Sequence, residues 1–472
     1  MQANSSPMKY SFLAIPIFLF GSISCQGPQS EDVSLFKSLE KLPSVIVNDA
    51  ASFSLGTEHI LISGKQQGIS LETIQLLSGF TAAIKTETES ICLDNPDSYT
   101  KYPFASKQLF QLDNEGLEVS QLQIISKEKL GITILYSIKN VDKSAKDIRF
   151  QFQPSVDLKP SVLMDSTVRS DAPDQIIYDE LTEIFTAKDQ ANDWYAIWGT
   201  STDFIMSPSN SDCTPEISGF GASAGFEISL KLAANDERVI PIFIAGSDRG
   251  EFTAMETLAD LRMDLYSDWD ENFALIDSLS KTTKITIPDN ELQEAHEWSK
   301  YKVGLFQFEK GNINPNPTEN PEELYFLLNE LSQDFPERLD RNIFSFDETK
   351  PRHIQPGWEI IQPMTLYMVG VFVDVANRVT YIRPNLPKEW KEASIENLWI
   401  DDNKINISIS SEANQITVEV TQTQKKAGIS IELPAEYSKV KVLGKEVSND
   451  TKDGLRRILM TGDHVKIEAV KN

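Results

Sequence analysis

The chain has 472 residues, and its 44 Lys plus Arg against 70 Asp plus Glu give a formal net charge of −26. The acidic balance excludes a nucleic-acid-binding class, because phosphate contacts need a basic face. A core-rich composition of 24 Phe, 12 Tyr and 7 Trp excludes a mostly disordered chain, and four His with three Cys leave little room for a multi-His or multi-Cys metal cage. The length alone predicts roughly two to four domains.

The first 25 residues predict an export signal. Lys9 precedes an apolar run, Phe12–Phe20, which is followed by small residues and then Cys25. The run is too short for a membrane-spanning helix, which needs about 20 residues. The segment Ser22–Cys25 resembles the lipobox of bacterial lipoproteins, which implies a periplasmic or outer-membrane-anchored protein held to the membrane only through a lipid on Cys25. The alternative is a plain secretory signal with an incidental cysteine.

Residues 26–280 predict a large antiparallel β-sandwich. Short runs of alternating apolar and polar residues recur at intervals of roughly ten residues, as in such sandwiches. The clearest are Gly131–Ile138, Ile148–Phe152, Phe226–Leu232 and Val239–Ala245. Trp194 and Trp198 are expected in the sandwich core, with a binding platform as the alternative. Cys92 and Cys213 are the two remaining cysteines, and they form either one disulfide or two separate buried thiols.

Helical spacing replaces strand alternation in the middle of the chain. Thr253–Asn272 predicts a linker helix, because Met255, Leu258, Leu261 and Leu265 recur at helical intervals. The segment 281–378 predicts a short helical part. Its first helix is capped by Asn290 with Gln293 in a capping box, its second runs from Asn320 to Phe335, and its third begins near Pro363. The apolar residues assigned to the third helix are Met364, Met368, Val371 and Val375.

The last part, residues 379–472, predicts a second, smaller sandwich. Its alternating runs are Lys404–Ser410, Gln415–Val420, Gly428–Leu433 and His464–Ala469. The predicted fold is therefore mainly β with a small α part: a large N-terminal antiparallel β-sandwich, a short helical segment and a small C-terminal β-sandwich.

Three stretches carry a family resemblance. Residues 286–300, 355–371 and 382–390 resemble, in that order, the entry to the helical barrel, the last barrel hairpin and the opening of the C-terminal sandwich of the six-hairpin glycosidases. This group includes bacterial-type glycogen-debranching enzymes, glucoamylase-like enzymes and rhamnosidases. The resemblance implies an α/α barrel between two sandwiches and hydrolysis of an oligo- or polysaccharide.

The middle of the chain is too short for that barrel. Twelve helices of ordinary length with short loops need roughly 250–300 residues. About 90 residues separate Pro288 from Val379. The helical segment is therefore predicted to be a remnant of the barrel, either because the gene lost the interior or because the sequence is an internally deleted version of a longer enzyme.

The resemblance also indicates candidate site residues. Inverting hydrolysis needs an acid and a base, and the family's base usually lies shortly before the last hairpin, where Asp347 and Glu348 stand; Glu359 is another candidate for the base. No acid partner is identifiable, and the alternative is that all three are solvated loop carboxylates. Trp298, Tyr301 and Trp358 are candidates for stacking on sugar rings, with core packing as the alternative.

Other chemistries find little support in the sequence. The acidic segments Asp268–Glu271 and Asp401–Asp402 lack EF-hand spacing, so no metal is expected there. His296 and His353 have no nucleophile in a recognisable elbow, and His296 is expected to be a hydrogen-bonded core residue. No Gly-rich phosphate loop is present, so no cofactor is expected.

Two functions from different classes remain open. The first is a six-hairpin glycosidase-like exported lipoprotein of carbohydrate metabolism, degenerate or internally deleted. The second is a non-catalytic surface lipoprotein that binds carbohydrate or supports a partner. The short helical segment favours little or no hydrolysis by this chain alone.

Overall fold

The computed structural model describes residues 28–46, 54–57, 59–64, 66–126, 128–161, 171–207, 213, 217, 219–305, 361, 364–447, 451–452 and 454–471. Within these ranges the chain is mainly β with few helices, which confirms the predicted fold class. Four sheets, here named A to D in chain order, form the framework. None of the described helices has both the length and the apolar character needed to cross a bilayer.

Sheets A and B form the N-terminal part. Sheet A has the strand order β1-β7-β8-β9-β10-β18-β14-β13-β12, and sheet B has the order β15-β17-β11-β5-β4-β3-β2, with β16 beside β11 and β6 beside β5. The strands are β1 (Val45–Ile46), β2 (Ser54–Gly56), β3 (Ile60–Ser63), β4 (Gly68–Leu71), β5 (Ile74–Lys85), β6 (Ser90–Cys92), β7 (Ser98–Lys101), β8 (Ala105–Leu112), β9 (Leu117–Ile125), β10 (Gly131–Asn140), β11 (Lys146–Pro160), β12 (Asp174–Asp179), β13 (Ile184–Asp189), β14 (Tyr195–Thr200), β15 (Ile205–Met206), β16 (Ala222–Ser223), β17 (Phe226–Leu232) and β18 (Glu237–Ser247).

The two sheets pack face to face through large side chains. Tyr136 of sheet A lies 4.8 Å, ring centre to ring centre, from Phe150 of sheet B. Phe185 of sheet A lies 6.2 Å from Phe226 of sheet B, and Trp198 stacks on Phe185 within sheet A at 5.3 Å. Trp194 and Trp198 are both buried, as the core interpretation predicted. Each such buried side chain stabilises the fold by about 1.5–3 kcal/mol relative to exposure.

Two helices cover sheet A. Helix α1 (Pro28–Ser38) continues into a 3₁₀ turn, Leu39–Lys41. Helix α2 (Glu251–Ser280) begins after Gly250 and is longer at both ends than the predicted Thr253–Asn272. Its buried side chains recur every three or four residues, as an amphipathic helix requires, and they are Ala254, Leu258, Leu261, Leu265, Trp269, Asn272 and Ile276.

Sheets C and D form the C-terminal sandwich. Sheet C has the order β19-β22-β23-β24-β30-β26-β27, and sheet D has the order β20-β21-β25-β29-β28. The strands are β19 (Lys284–Thr286), β20 (Val371–Asp374), β21 (Val379–Ile382), β22 (Glu392–Ile400), β23 (Asn403–Glu412), β24 (Gln415–Gln422), β25 (Gly428–Pro434), β26 (Tyr437–Val442), β27 (Lys445–Glu446), β28 (Thr451–Lys452), β29 (Leu455–Thr461) and β30 (His464–Lys471). All four predicted runs are strands.

The segment 281–378 differs from its prediction because it contributes strands to both C-terminal sheets. β19 pairs with β22, and β20 pairs with β21. The predicted third helix is wrong: Met364–Met368 forms one π-helical turn, and Val371 already lies in β20. Gly370 separates them in the left-handed region, with φ of +76°, which ends the helical turn before the strand begins.

The first predicted helix is present with a different cap. Helix α3 spans Asn290–Leu305. Asp289, rather than Asn290, provides the cap, because its Oδ1 accepts the backbone N–H of Leu292 at 2.9 Å. Gln293 reaches back, as a capping-box residue does, but its Oε1 accepts the N–H of Ile287 at 3.0 Å. The predicted second helix, 320–335, lies outside the described residues.

Candidate functional site

The residues predicted to carry catalysis and lipidation lie outside the described residues. These are Asp347, Glu348 and Glu359 as candidate bases, Trp358 as a stacking residue, His353, and Cys25 as the lipid anchor. Their roles remain predictions.

Trp298 and Tyr301 lie in the core of the molecule. Both are 4% exposed, and their rings meet edge to face at 6.4 Å. The Tyr301 hydroxyl donates a hydrogen bond to Glu297 Oε1 at 2.9 Å. The pKa of Tyr301 is raised by burial and by the neighbouring Glu297. This placement favours core packing for both rings, and their contact with a sugar remains a prediction.

His296 is buried on the same helix, but it has fewer hydrogen bonds than the fully hydrogen-bonded core histidine that the sequence predicted. Its Nε2 has no hydrogen-bond partner among the described residues. Burial, with a contribution from the nearby Lys300 charge, lowers the pKa of His296 to about 3. The ring is therefore neutral at physiological pH and does not serve as a proton donor there.

Carboxylates in or next to the two acidic segments that were considered as metal sites form ion pairs with basic side chains. Lys129 Nζ lies 3.1 Å from Asp264 Oδ2 and 2.7 Å from Asp268 Oδ2. Arg378 Nη2 lies 2.7 Å from Asp402 Oδ1. Across the part of the chain that the structure describes, no group of three or more His, Cys, Asp or Glu is arranged to hold a metal ion.

Cys92 and Cys213 form a disulfide across 121 positions of sequence. Cys92 ends β6 at the side of sheet B, so the bond ties the connection between β15 and β16 to this sheet. The hydroxyl of Thr81 in β5 also donates to the Cys213 carbonyl at 2.5 Å. The sequence left this pairing open.

A group of four carboxylates, which sequence reasoning did not identify, meets at one end of the N-terminal sandwich. We call it the carboxylate cluster, and it consists of Asp157, Asp171, Asp174 and Asp189. Asp157 lies in β11, Asp174 begins β12 and Asp189 ends β13. Asp157 and Asp189 are 1% and 0% exposed. A weak signal was present in the sequence, since Asp side chains in turns commonly accept hydrogen bonds from nearby backbone N–H groups.

Two members of the carboxylate cluster have well-defined hydrogen bonds. Asp189 Oδ1 accepts the N–H groups of Ala191 and Asn192 at 2.9 and 2.6 Å, and its Oδ2 accepts that of Ala172 at 3.0 Å. Asp157 Oδ2 lies 2.5 Å from Lys159 Nζ and accepts a hydrogen bond from Gln75 at 3.2 Å. These two carboxylates therefore organise the turn after β13 and the end of β11.

Asp174 has an unusual electrostatic environment. Its Oδ2 accepts the Leu158 N–H at 2.9 Å, and its Oδ1 is buried without a hydrogen-bond partner among the described residues. The pKa of Asp174 is raised to about 7, chiefly by burial; the Leu158 N–H hydrogen bond lowers it, and the negative charges of Asp189, Asp157 and Asp171 raise it. The pKa of Asp171 is also raised, chiefly by burial.

The surroundings of Asp174 determine what the carboxylate cluster can do. A carboxyl group with a pKa near 7 is able to give or take a proton at neutral pH. The backbone N–H of Asp174 donates to the Phe220 carbonyl at 3.0 Å, and the Phe220 ring is 56% exposed. The hydrogen bonds of Asp157 and Asp189 give the cluster a structural role in the sandwich.

Comparison with known proteins gives similarities of fold at low sequence identity. No family model matches the chain, and no curated protein matches it. A putative kojibiose phosphorylase from the human microbiome is similar over 89% of this chain and 98% of its own, with a TM-score of 0.48 and 8% identity. A bacterial glucoamylase complexed with acarbose is similar over 56% of this chain and 42% of its own, with a TM-score of 0.34 and 9% identity. A putative aldose 1-epimerase from Klebsiella pneumoniae subsp. pneumoniae MGH 78578 is similar over 43% of this chain and 80% of its own, with a TM-score of 0.29 and 7% identity. All three are named as carbohydrate-active enzymes.

Proposed function

We propose that the chain is an exported, lipid-anchored protein of carbohydrate metabolism, a degenerate or internally deleted relative of the six-hairpin glycosidases, and that it binds saccharide without hydrolysing it by itself. The order of its parts supports this proposal. A two-sheet N-terminal sandwich is followed by the linker helix α2, by α3 and by a two-sheet C-terminal sandwich. The same order underlies the resemblance of residues 286–300, 355–371 and 382–390 to that group.

The strongest support for lost hydrolysis is the length of chain left for a barrel. Helix α3 ends at Leu305, and strand β20 of the C-terminal sandwich begins at Val371. The intervening residues, together with α3, replace a barrel that needs roughly 250–300 residues. Because β20 belongs to sheet D, even less chain is available than the sequence expectation allowed. A segment of this length is too short to form an enclosed pocket that places an acid and a base on opposite faces of a sugar.

Glycoside hydrolysis also sets a requirement on the carboxyl groups of the chain. An inverting enzyme needs two carboxyl groups about 6.5–9.5 Å apart, one of them protonated at working pH. Among the described carboxyl groups, Asp174 has a pKa near 7. It lies at the edge of sheet A, in a different part of the chain from the candidate bases Asp347, Glu348 and Glu359. The proposal gives Asp174 no part in hydrolysis, because its Oδ2 already accepts the backbone N–H of Leu158 in β11 and so links β12 to sheet B.

Hydrolysis is tested with the chain from residue 26 onward, which retains every described residue. We expect no turnover of a panel of aryl glycosides and oligosaccharides, and micromolar binding to members of a glycan array. Robust hydrolysis that is abolished by Glu348→Gln would refute the non-hydrolytic proposal and would show that the chain is an active glycoside hydrolase. Absence of both hydrolysis and glycan binding would refute saccharide recognition altogether.

Lipid anchoring is tested separately in a bacterial host. We expect metabolic labelling of the full chain with a fatty acid, and its loss in Cys25→Ser. Secretion of an unlabelled protein would support the plain signal instead.

A further inference from the structure

Trp399 has an environment unlike that of the other described tryptophans. It is 59% exposed, whereas Trp194, Trp198, Trp269, Trp298 and Trp390 are between 0% and 4% exposed. Exposing an indole ring forgoes one of the largest apolar contributions a side chain can make to folding. The ring is therefore available on the surface of the C-terminal sandwich.

The strand register places Trp399 on the solvent-facing side of sheet C. Trp399 in β22 is paired with Lys404 in β23. Side chains alternate along a strand, and Ile405, Ile407 and Ile409 of β23 are buried at 0–1% exposure. Lys404 therefore points away from the core, and Trp399 shares its side. We call this side, which carries Trp399 and Lys404, the outer face of sheet C.

The outer face of sheet C is polar and electrically balanced. Lysine and glutamate face each other across neighbouring strands in three pairs, which are Lys284 with Glu396, Lys466 with Glu419, and Lys441 with Glu468. Uncharged hydrogen-bonding side chains occupy the positions nearer the centre, namely Ser394, Ser408, Ser410, Asn406, Thr417 and Thr421. This balance contrasts with the net charge of −26 for the whole chain.

The hairpin that carries Trp399 is held rigidly by buried amides. Asn403 and Gln422 are 4% and 5% exposed, and Asn403 Nδ2 donates to Gln422 Oε1 at 2.8 Å. Asn403 Oδ1 accepts the backbone N–H of Gln424 at 3.0 Å. Gln422 Nε2 donates to the carbonyls of Ala427 and Gly462 at 2.9 and 2.8 Å. A side chain on a fixed hairpin loses little conformational freedom when a ligand binds.

Hydrogen-bonding groups lie on the same face, with Lys404 beside the ring in β23 and Thr421 one strand farther, in β24, where it pairs with Asn406. Directly paired residues place their Cβ atoms about 4.5–5.5 Å apart, so the Lys404 ammonium is within reach of a ligand on the Trp399 ring. Within the described ranges Lys404 forms no ion pair. Thr421 Oγ1 accepts a hydrogen bond from Asn406 Nδ2 at 3.0 Å, which leaves the hydroxyl hydrogen of Thr421 available for donation.

We propose that the outer face of sheet C binds an uncharged oligosaccharide that stacks on Trp399, receives a hydrogen bond from Lys404 and extends across β23 toward Thr421. The proposal rests on the saccharide binding proposed above and gives it a location. A sugar presents apolar C–H groups on one side and hydroxyl groups around its rim, which matches a ring surrounded by polar side chains. The paired Lys and Glu charges disfavour a polyanion, and the scarcity of apolar side chains around Trp399 disfavours a protein or lipid occupant.

The test measures binding of neutral hexasaccharides of gluco, xylo, manno and galacto configuration to the chain from residue 26, by isothermal titration calorimetry. Trp399→Ala is expected to weaken the best ligand about tenfold or more, whereas Trp399→Phe keeps most of the affinity because it keeps a ring. Phe252→Ala is the matched control, since Phe252 is 79% exposed on α2, far along the chain from the proposed site. Equal melting temperatures of the variants confirm that each is folded.

The outcomes separate the site from the function. Binding that Trp399→Ala leaves within twofold of the unmodified chain overturns the proposed site and keeps the proposed function. Absence of binding by the unmodified chain overturns both. If uronic-acid oligosaccharides bind more tightly than every neutral oligosaccharide, and if added salt abolishes that binding, the proposal of an uncharged ligand is wrong.

Discussion

Replacing Asp174 with Asn is expected to stabilise the protein more at pH 8 than at pH 5. In the folded chain burial raises the pKa of Asp174 to about 7, whereas an Asp in an unfolded chain titrates near its ordinary value of 3.8. Between these values the folded state holds a proton that the unfolded state has released. The stability contributed by the protonated group is fully present below pH 3.8 and is lost as the pH rises through 7.

The size of the effect follows from the two pKa values and the exposure of the group. A change from 3.8 to about 7 corresponds to about 4 kcal/mol without solvent screening. Because the Asp174 carboxyl is only partly buried, screening reduces this to roughly 1–2 kcal/mol. Asn keeps an oxygen that accepts the Leu158 N–H and carries no charge toward Asp157, Asp171 and Asp189. We expect the gain in unfolding free energy to be about 1 kcal/mol larger at pH 8 than at pH 5.

Urea unfolding followed by tryptophan fluorescence at both pH values measures this difference. Asp179→Asn is the control, because Asp179 lies in the same strand and its pKa is lowered by hydrogen bonds from the Leu181 N–H and the Thr182 hydroxyl. That control should destabilise the protein similarly at pH 5 and pH 8. An Asp174→Asn variant whose stability change is the same at both pH values would show that the folded chain does not hold this proton.

Two further predictions concern the covalent and backbone constraints. Replacing both Cys92 and Cys213 with Ser should lower the unfolding free energy by about 2–5 kcal/mol in urea titrations, because the disulfide closes a loop of 121 positions in the unfolded chain. If reducing the unmodified protein with dithiothreitol left its stability unchanged, this prediction would be wrong. Gly370→Ala should destabilise by more than about 2 kcal/mol, since a methyl group at φ of +76° would collide with the Arg383 carbonyl. Gly444→Ala, at φ of +79° with nothing within 4 Å, should cost only about 1 kcal/mol, and equal melting temperatures of these two variants would refute the collision.

The sequence predicted the strands well wherever one strand face is buried. Ile405, Ile407 and Ile409 alternate with polar residues in β23, and the structure buries those three side chains. Alternation is a local property, because successive side chains of a strand point to opposite faces. The same holds for α2, where Leu258 and Leu261 lie on one helical stripe against sheet A.

The prediction from sequence was wrong where the spacing of apolar residues is compatible with both a helix and a helical turn followed by a strand. Met364, Met368, Val371 and Val375 recur at helical intervals, yet only the first two lie in a helical turn. Val371 instead pairs with Ile382 of β21 in sheet D. The left-handed Gly370 allows this change, and the gain from adding a strand to a sheet exceeds that of a short isolated helix.

By itself the sequence determined the mainly β class, the order of the two sandwiches and the shortage of chain for a closed barrel, because these follow from local alternation and from length. The tertiary structure alone decided that Asp157, Asp174 and Asp189 meet, that Cys92 bonds to Cys213, and that Trp399 is the exposed tryptophan among the described ones. Each of these depends on which strands become neighbours and in which register. Such pairings join residues far apart in the chain, and no local pattern encodes them.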